Sequence, residues 1–552
     1  MSKAGFISDP FDRCVFLQNL NIILTVKSNR NTPLSPKKPH FITATHYFGR
    51  CSMGNFWNTF ECGRVPDDFK QIRADGFNAI ILIVPWAHLQ PHTQPIEYDQ
   101  TILGRLSYLL AQARAVGLRI MLRLGYLWEN APADMTTYRR YQRLLTDPQL
   151  QLAWQDYLAK VESVVGEDAQ DCNFFLSWED AYWPVLRHPE NLRPEARIKY
   201  AQDIGLTAYI KKRFAFKQLQ ALYDVTADSY DTLPAPTSRE KLFAEFALFF
   251  DREYIEPWIL ASKNALVHDI WYEHRIDPDV FYGDGWQDSV EYGSYKTGSS
   301  CDVIYYHPKI GVSGAKPLSA DEAAKHMQRV LNGFRPFNIH KKPVFLDQFN
   351  FKINNPKHPD FARLADEHVP RLLEQLVPLF KKNLIGYGVW GYRDWRDDKI
   401  FNGAFELGLA GWEGTQLIME GDTVLLTAGS ELKQANLPPM PFVYIECLPL
   451  PGETVLSISN GVCTEQQTVT ADTCEIILTF AQNNTGKGPL HINCLQGTLS
   501  IRKVAYYSHI YSNGMRDING AASPILNAIA RFNHTLAPNL PTAAHKQAAL
   551  PA

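Results

Sequence analysis

The chain has 552 residues, of which 45% are hydrophobic and 20% charged, the proportions of a folded globular protein and not of a disordered, collagenous or coiled-coil one. At roughly 100–200 residues per domain, that length holds two or three domains, or one large barrel with an appendage. Its 55 basic and 58 acidic residues leave a net charge of -3, which gives no ground for a nucleic-acid partner or an anionic membrane surface.

The 9 cysteines are an odd number and contain no CxxC pair, so a reduced compartment is the default, with one bridge among Cys447, Cys463, Cys474 and Cys494 left open. The N-terminal stretch has no basic region leading into an apolar core and a small-residue cleavage site, and no apolar run reaches the ~18 residues of a membrane span. The expected location is therefore cytoplasmic, with export by a route lacking a standard signal left open.

Residues 1–35 read as an N-terminal extension. From 36 to 400, short apolar runs alternate with amphipathic stretches. Phe41–Tyr47 is the first candidate strand. Asn78–Val84 is almost unbroken and β-branched, as a parallel strand buried on both faces should be. Asp99 can cap a helix with apolar residues at 3–4 spacing from Ile102 to Val116, Gly117 can close it, and Leu118–Leu124 is the next strand, giving a βαβ unit. Asp147-Pro148 starts another helix before the strand Asn173–Trp178. Val280–Tyr282, Asp302–Tyr306, Pro343–Asp347 and Ile385–Trp390 complete a set of eight. The pattern predicts an α/β fold, a (β/α)8 TIM barrel with a helical insertion at 198–258.

After residue 400 the texture changes. Val424–Leu426, Phe442–Ile445, Val455–Ile458, Cys474–Phe480 and Leu499–Ile501 are short runs between turn residues, which predicts a C-terminal antiparallel β-sandwich, jelly-roll-like, over 401–512. Residues 513–552 read as a tail, partly disordered.

Barrel enzymes place functional side chains at the C-terminal ends of strands. Here those ends carry His46, then Trp86 and His88, then Trp128 and Glu129, then Trp178, Glu179, Asp180 and Trp183. Asp284, Trp286 and Asp288 follow, then Tyr305, Tyr306 and His307, then Asp347 and Gln348, then Trp390 and Asp394. Flat rings stack on sugar C–H faces and carboxylates bond hydroxyls, so the set describes a carbohydrate cleft. The bland alternatives are barrel-capping rings, a helix-capping or Arg-holding Asp347, and hydrogen-bonded histidines at His46 and His307. Glu179 lies among aromatics that would raise its pKa, as a general acid requires. No motif for a metal, nucleotide or serine nucleophile occurs, so neither cofactor nor metal is expected.

Three segments resemble clan A of the glycoside hydrolases, closest to the family 42 β-galactosidase type: the stretch from Tyr98 to Gly125, "NFFLSWEDAYWP" from Asn173, and the helical block from Arg213 to Trp258. The resemblance covers roughly residues 40–400. It implies that Glu179 is the acid/base, that Tyr305 or Tyr306 touches the nucleophile, and that Trp390 lies under the sugar. Two departures stand out. Trp178 replaces the Asn that usually precedes the acid, and Gln348 occupies the place of the nucleophilic Glu, with Asp347 one step before it. "NGAFELGLAGW" after Phe401 resembles the start of a carbohydrate-binding module.

The expected function is hydrolysis of a β-linked oligo- or polysaccharide, with Glu179 and Asp347 as the two carboxylates. Gln348, Trp86, Trp128, Trp178, Trp183, Tyr305, Tyr306, His307 and Trp390 would bind the substrate. The alternatives are an inactive carbohydrate-binding protein on the same scaffold, or a transglycosylase. Strand alternation would turn Asp347 and Gln348 to opposite faces, so an inward Asp347 favours the enzyme and an averted one the binder.

Overall fold

The computed structural model describes residues 41–538 apart from residues 130, 132, 167–171, 276–301, 306–318, 335–340, 350–363, 449, 481–486 and 513. Two compact units result. One comprises Pro39–Tyr47, Phe69–Tyr392 and Asn513–Ala552, and the other, as far as it is described, Phe48–Asp68 and Arg393–Ser512.

The first unit is a closed barrel of parallel strands: β1 (Ile42–His46), β2 (Ala79–Val84), β3 (Arg119–Leu124), β4 (Cys172–Ser177), β5 (Ile270–Arg275), β6 (Asp302–Tyr305), β7 (Val344–Phe349) and β8 (Gly386–Val389). Each strand pairs with its sequence neighbours, and β1 pairs with β8 to close the ring. Helix α1 (Gln100–Ala115) is capped by the Asp99 carboxylate on the N–H groups of Thr101 and Ile102. Helix α2 (Pro148–Val165) is capped by Asp147 in the same way. Helix α3 (Trp178–Val185) starts directly at the end of β4, with the Ser177 hydroxyl accepting from the Glu179 N–H. Helix α4 (Glu256–Ala265) leads into β5, α5 (Ala320–Phe334) into β7 and α6 (Val369–Asn383) into β8.

Seven of the eight expected strands are found, and the fifth is not. Val280–Tyr282 lies outside the described residues, and the fifth barrel position is taken by Ile270–Arg275. Its sequence, Ile-Trp-Tyr-Glu-His-Arg, holds too many ionisable residues to read as a buried strand.

The barrel interior is layered. Ala44, Met121, Trp271 and Phe345 from the odd-numbered strands are buried there together with Ile81 and Phe175. Alternate strands contribute to one layer in such barrels. Two residues further along the same odd strands, one full alternation, come His46, Arg123, Glu273 and Asp347, all without exposed surface.

The stretch read as a tail is part of this unit as far as residue 538. Helix α7 (Leu526–Leu536) lays Phe532 against Phe380 and Tyr387, and Tyr387 donates to Asn533 Oδ1 at 2.5 Å. Arg516 clamps Asp75 through Nε and Nη2, each at 2.8 Å.

The second unit contains two five-stranded antiparallel sheets. Its strands are β9 (Glu413–Thr415), β10 (Ile418–Glu420), β11 (Thr423–Thr427), β12 (Glu431–Leu437), β13 (Phe442–Leu448), β14 (Thr454–Ser459), β15 (Thr464–Val469), β16 (Glu475–Thr479), β17 (Gly488–Gln496) and β18 (Thr498–Tyr507). The orders are β9-β12-β17-β14-β15 and β10-β11-β18-β13-β16. Setting aside the first strand of each, four strands face four in the jelly-roll arrangement, and successive strands alternate between sheets except for the hairpin β14-β15. Leu432, Ile445, Ile458, Ile492 and Ile501 fill the space between them. Cys447, Cys463, Cys474 and Cys494 are free thiols, so the bridge left open above does not form.

Candidate active site

The site is built on the ring at the C-terminal ends of the odd strands. His46 Nε2 lies 2.6 Å from Asp347 Oδ1. Ser177 Oγ, one strand away on β4, donates to Glu273 Oε1 at 2.6 Å. The carboxyl groups of Glu273 and Asp347 are in hydrogen-bonding contact with one another. Arg123 donates from Nε to Asp180 Oδ2 at 3.0 Å and from Nη2 to Glu179 Oε2 at 3.3 Å. Asp180 also accepts from the Leu127 N–H at 3.1 Å.

Asp347 points inward by plain alternation from Phe345, and a β-bulge follows it directly. Gly386 pairs with Phe345 and Tyr387 with Leu346, but Val389 pairs with Phe349, so Asp347 and Gln348 together face one residue, Gly388. Gln348 takes up the extra length with φ +53°, in the left-handed region. Asp347 keeps the inward phase set by Phe345, and the bulge turns Phe349, which unbroken alternation would also point inward, outward onto Phe380 and Tyr387. Gly388 has no side chain because one would not fit: a Cβ there would lie 2.6 Å from Ile81 Cδ1 and 3.2 Å from Asp347 Oδ1.

Electrostatics follow from burial. Burial pushes Asp180 up to about 7 against the pull of Arg123. Burial likewise raises Asp347 to about 6, although the Glu273 hydrogen bond and Arg123 favour its charged form. Glu273 is held well above the ordinary carboxylate range by burial first, with Asp347 adding to the shift and Arg123 opposing it. Burial and then Arg123 lower His46 to about 3, so its ring is neutral and donates Nε2–H to Asp347. Burial works against the Arg123 cation, but Asp180, Glu273 and Glu179 outweigh it and hold its pKa well above the usual value.

The expected site residues separate into groups. Glu179 lies in the first turn of α3 with 13% of its side chain exposed, beside Arg123. Trp178 stacks on Tyr182 at 4.1 Å, and Tyr182 meets Trp183 edge-on at 5.3 Å. Trp128 is 40% exposed and lies 5.5 Å from Tyr126. Trp390 packs on the His46 ring at 4.7 Å.

Trp86 cannot serve as a platform. It is wholly buried, packs on Trp154 at 4.9 Å, and its indole N–H donates to Gln90. Strand β2 ends at Val84 and Trp86 opens a short helix, Trp86–Leu89, whose residues are all buried. Glu129, one of the carboxylates read at the strand ends, accepts from the Thr137 N–H at 2.6 Å. The backbone of Tyr305 ends β6, its side chain lies outside the described residues, and so do Tyr306, His307, Asp284, Trp286 and Asp288.

His46 stands in the sequence reading at a strand end, with a hydrogen-bonded barrel role as the alternative; the ring members missing from it are Arg123, within an apolar strand, and Glu273, in the strand that went unread. A single ionisable residue at an inward position of a buried strand is the signal that would have found the last two.

No family model and no curated protein matches the chain. Among solved structures, an exo-β-1,4-mannosidase from Opitutaceae bacterium strain TAV5 is similar at 15% identity and TM-score 0.41, covering 67% of this chain but only 56% of that one. A GH5_18 protein from Bifidobacterium longum subsp. longum, in complex with Manβ1-4GlcNAc, is similar at 11% identity and TM-score 0.46, covering 93% and 80%. Another GH5_18 protein, from Streptomyces cattleya and with the same disaccharide, is similar at 13% identity and TM-score 0.40, covering 65% and 72%. The sequence resemblance pointed to family 42, whereas two of these three carry family 5 designations. The fold of the present chain rests on the strand pairing described above.

Proposed function

We propose that the barrel is a glycoside hydrolase acting on a β-linked oligo- or polysaccharide, with Glu179 as proton donor and Asp347 as the second carboxylate. The observation that carries this reading is the inward position of Asp347, two residues beyond the inward Phe345 on β7, at the same end of the barrel as Glu179. In this scheme the Glu179 carboxyl protonates the glycosidic oxygen as the bond to the anomeric carbon breaks. Asp347 either forms a covalent bond to that carbon or takes a proton from the attacking water. A separation of ~5–5.5 Å between the carboxyls suits the first route and ~6.5–9.5 Å the second. Trp128, Trp178, Trp183 and Trp390 would stack on sugar rings, and Gln348 would bond a hydroxyl.

One observation favours a second reading, a sugar-binding barrel without catalysis: Asp347 has no exposed surface, and a neutral amide follows it. The carbohydrate-binding role considered for the sandwich has less behind it. None of the five strands in the β9-β12-β17-β14-β15 sheet contains Phe, Tyr or Trp to stack on a sugar.

Leaving-group dependence tests the role of Glu179. Glu179→Gln should lose roughly 100-fold or more in kcat/KM on substrates with a poor leaving group. It should lose much less on activated aryl β-glycosides. Equal losses on both would contradict a proton-donor role. Tight oligosaccharide binding by a wild type that cleaves none of them would establish the second reading.

A further inference from the structure

We propose that Glu273 is a positioning residue that stands as a neutral acid at neutral pH and donates a hydrogen bond to Asp347, so that the ring of four carries one carboxylate charge, on Asp347. Its importance for hydrolysis rests on the functional reading above, but its protonation state does not.

The argument starts from hydrogen-bond accounting. Asp347 Oδ1 accepts from His46, and Glu273 Oε1 accepts from Ser177. The remaining oxygens, Asp347 Oδ2 and Glu273 Oε2, are buried and meet no donor among the described residues. The two side chains are nevertheless in hydrogen-bonding contact. Two ionised carboxylates in such contact repel, and each would keep an unpaired buried acceptor. One proton on Glu273 Oε2 satisfies both atoms.

The surroundings decide which carboxyl holds that proton. Asp347 already has the His46 N–H and the backbone N–H of Gln348 to stabilise its charge, whereas Glu273 has one hydroxyl. The charged and titratable groups around the pair, among the described residues, are His46 on β1, Arg123 on β3, and Glu179 with Asp180 on α3. Arg123 is the cation among them and already faces Asp180 and Glu179, so it does not compensate two further charges in the ring.

The chain of donors is continuous: the Glu179 N–H bonds Ser177 Oγ, the Ser177 hydroxyl bonds Glu273, and the Glu273 acid bonds Asp347. Glu273 thus fixes the orientation of Asp347 relative to the segment that carries Glu179.

Infrared spectroscopy of the full chain in D2O at neutral pD tests the state directly. A protonated-carboxyl band should be present in wild type, persist in Asp180→Asn and vanish in Glu273→Gln. In Ser177→Ala, which keeps the acid and removes one of its bonds, the band should shift without disappearing. That arm decides the matter if Glu273→Gln does not fold. Absence of any band sensitive to these two substitutions would overturn the proposal.

The kinetic arm reads positioning. Glu273→Gln, whose amide can donate in place of the acid, should retain kcat within a few-fold at pH 7. The alkaline limb of its pH profile should move upward, because no second charge can form beside Asp347. Glu273→Ala should lose roughly 10- to 100-fold in kcat with little change in KM. A Gln variant as inactive as the Ala variant would overturn the neutral-donor role. If wild type cleaves nothing, the hydrolase reading fails, while the infrared band still decides the protonation of Glu273.

Discussion

Arg123 sits without exposed surface between Asp180, Glu179 and Glu273, so its removal has a calculable consequence. Arg123→Met keeps most of the volume but leaves Asp180 buried without its ion-pair partner. Loss of one partner of a buried pair costs about 3–5 kcal/mol, and urea unfolding of the variant should show a loss of that order. Asp180 also makes a pH-dependent contribution. Its folded pKa of about 7 lies above that of the unfolded chain, so between roughly pH 4 and 7 the folded state holds a proton that the unfolded state has released. Its contribution is fully present below the unfolded pKa and is lost as pH rises through about 7. Wild type should therefore lose stability relative to Asp180→Asn as pH rises from 4 to 7. A difference that stays flat over that window would contradict the raised pKa. At this scale the sequence was informative where a residue closed a recognisable pattern. Asp99 and Asp147 were legible as caps because capping needs only local chain geometry. The pairing of His46 with Asp347 spans 301 positions, and only barrel closure creates it.

At the scale of elements, the β7 bulge follows Asp347 directly and sets the direction of the residues after it. Gln348 holds φ +53°, a conformation costing an ordinary L-residue roughly 1–2 kcal/mol and a β-branched one more. Gln348→Gly should therefore be at least about 1 kcal/mol more stable than Gln348→Val in urea unfolding. Gly388 opposes the bulge, and a methyl group there would press on Ile81 and Asp347. Gly388→Ala should cost about 1–3 kcal/mol, and it should shift the carboxyl infrared signature of the ring. The strand alternation legible in "KPVFLDQFNF" puts Asp347 and Gln348 on opposite faces but does not say which of them faces inward; barrel closure settles that by turning Phe345, and with it Asp347, into the interior. The fifth strand was missed for a related reason. Its inward positions are Trp271 and Glu273, and a buried acid removes the apolar signal by which a parallel strand is recognised. Among the sheets, Thr464–Val469 was missed because it is an edge strand whose residues are mostly exposed and polar.

At the scale of the whole molecule, a parallel barrel, with seven of its eight strands, followed by a jelly-roll was legible because long periodic segments carry the signal, whereas the boundaries were not. The chain re-enters the barrel unit after the sandwich, and nothing in the Ala- and Asn-rich composition of that stretch announces a docked helix. Its apolar positions do: Leu526, Ile529, Phe532 and Leu536 are buried at helical spacing. A chain ending at Ser512 should expose Phe380 and Tyr387 and lose the Arg516–Asp75 clamp. Four such side chains represent upwards of about 6 kcal/mol of burial, comparable with the whole stability of a domain. The shortened chain should therefore lose its near-ultraviolet circular dichroism; retention of a native spectrum would contradict the view that the terminal helix belongs to the barrel.

The two-carboxylate reading is tested most directly by hydrolysis of a panel of aryl β-glycosides, comparing wild type with Asp347→Asn and Gln348→Glu. The reading predicts turnover of at least one glycoside by wild type and its loss, by roughly 1,000-fold or more, in Asp347→Asn. No turnover by wild type, with activity appearing in Gln348→Glu, would contradict it and identify a barrel that holds sugar without cutting it.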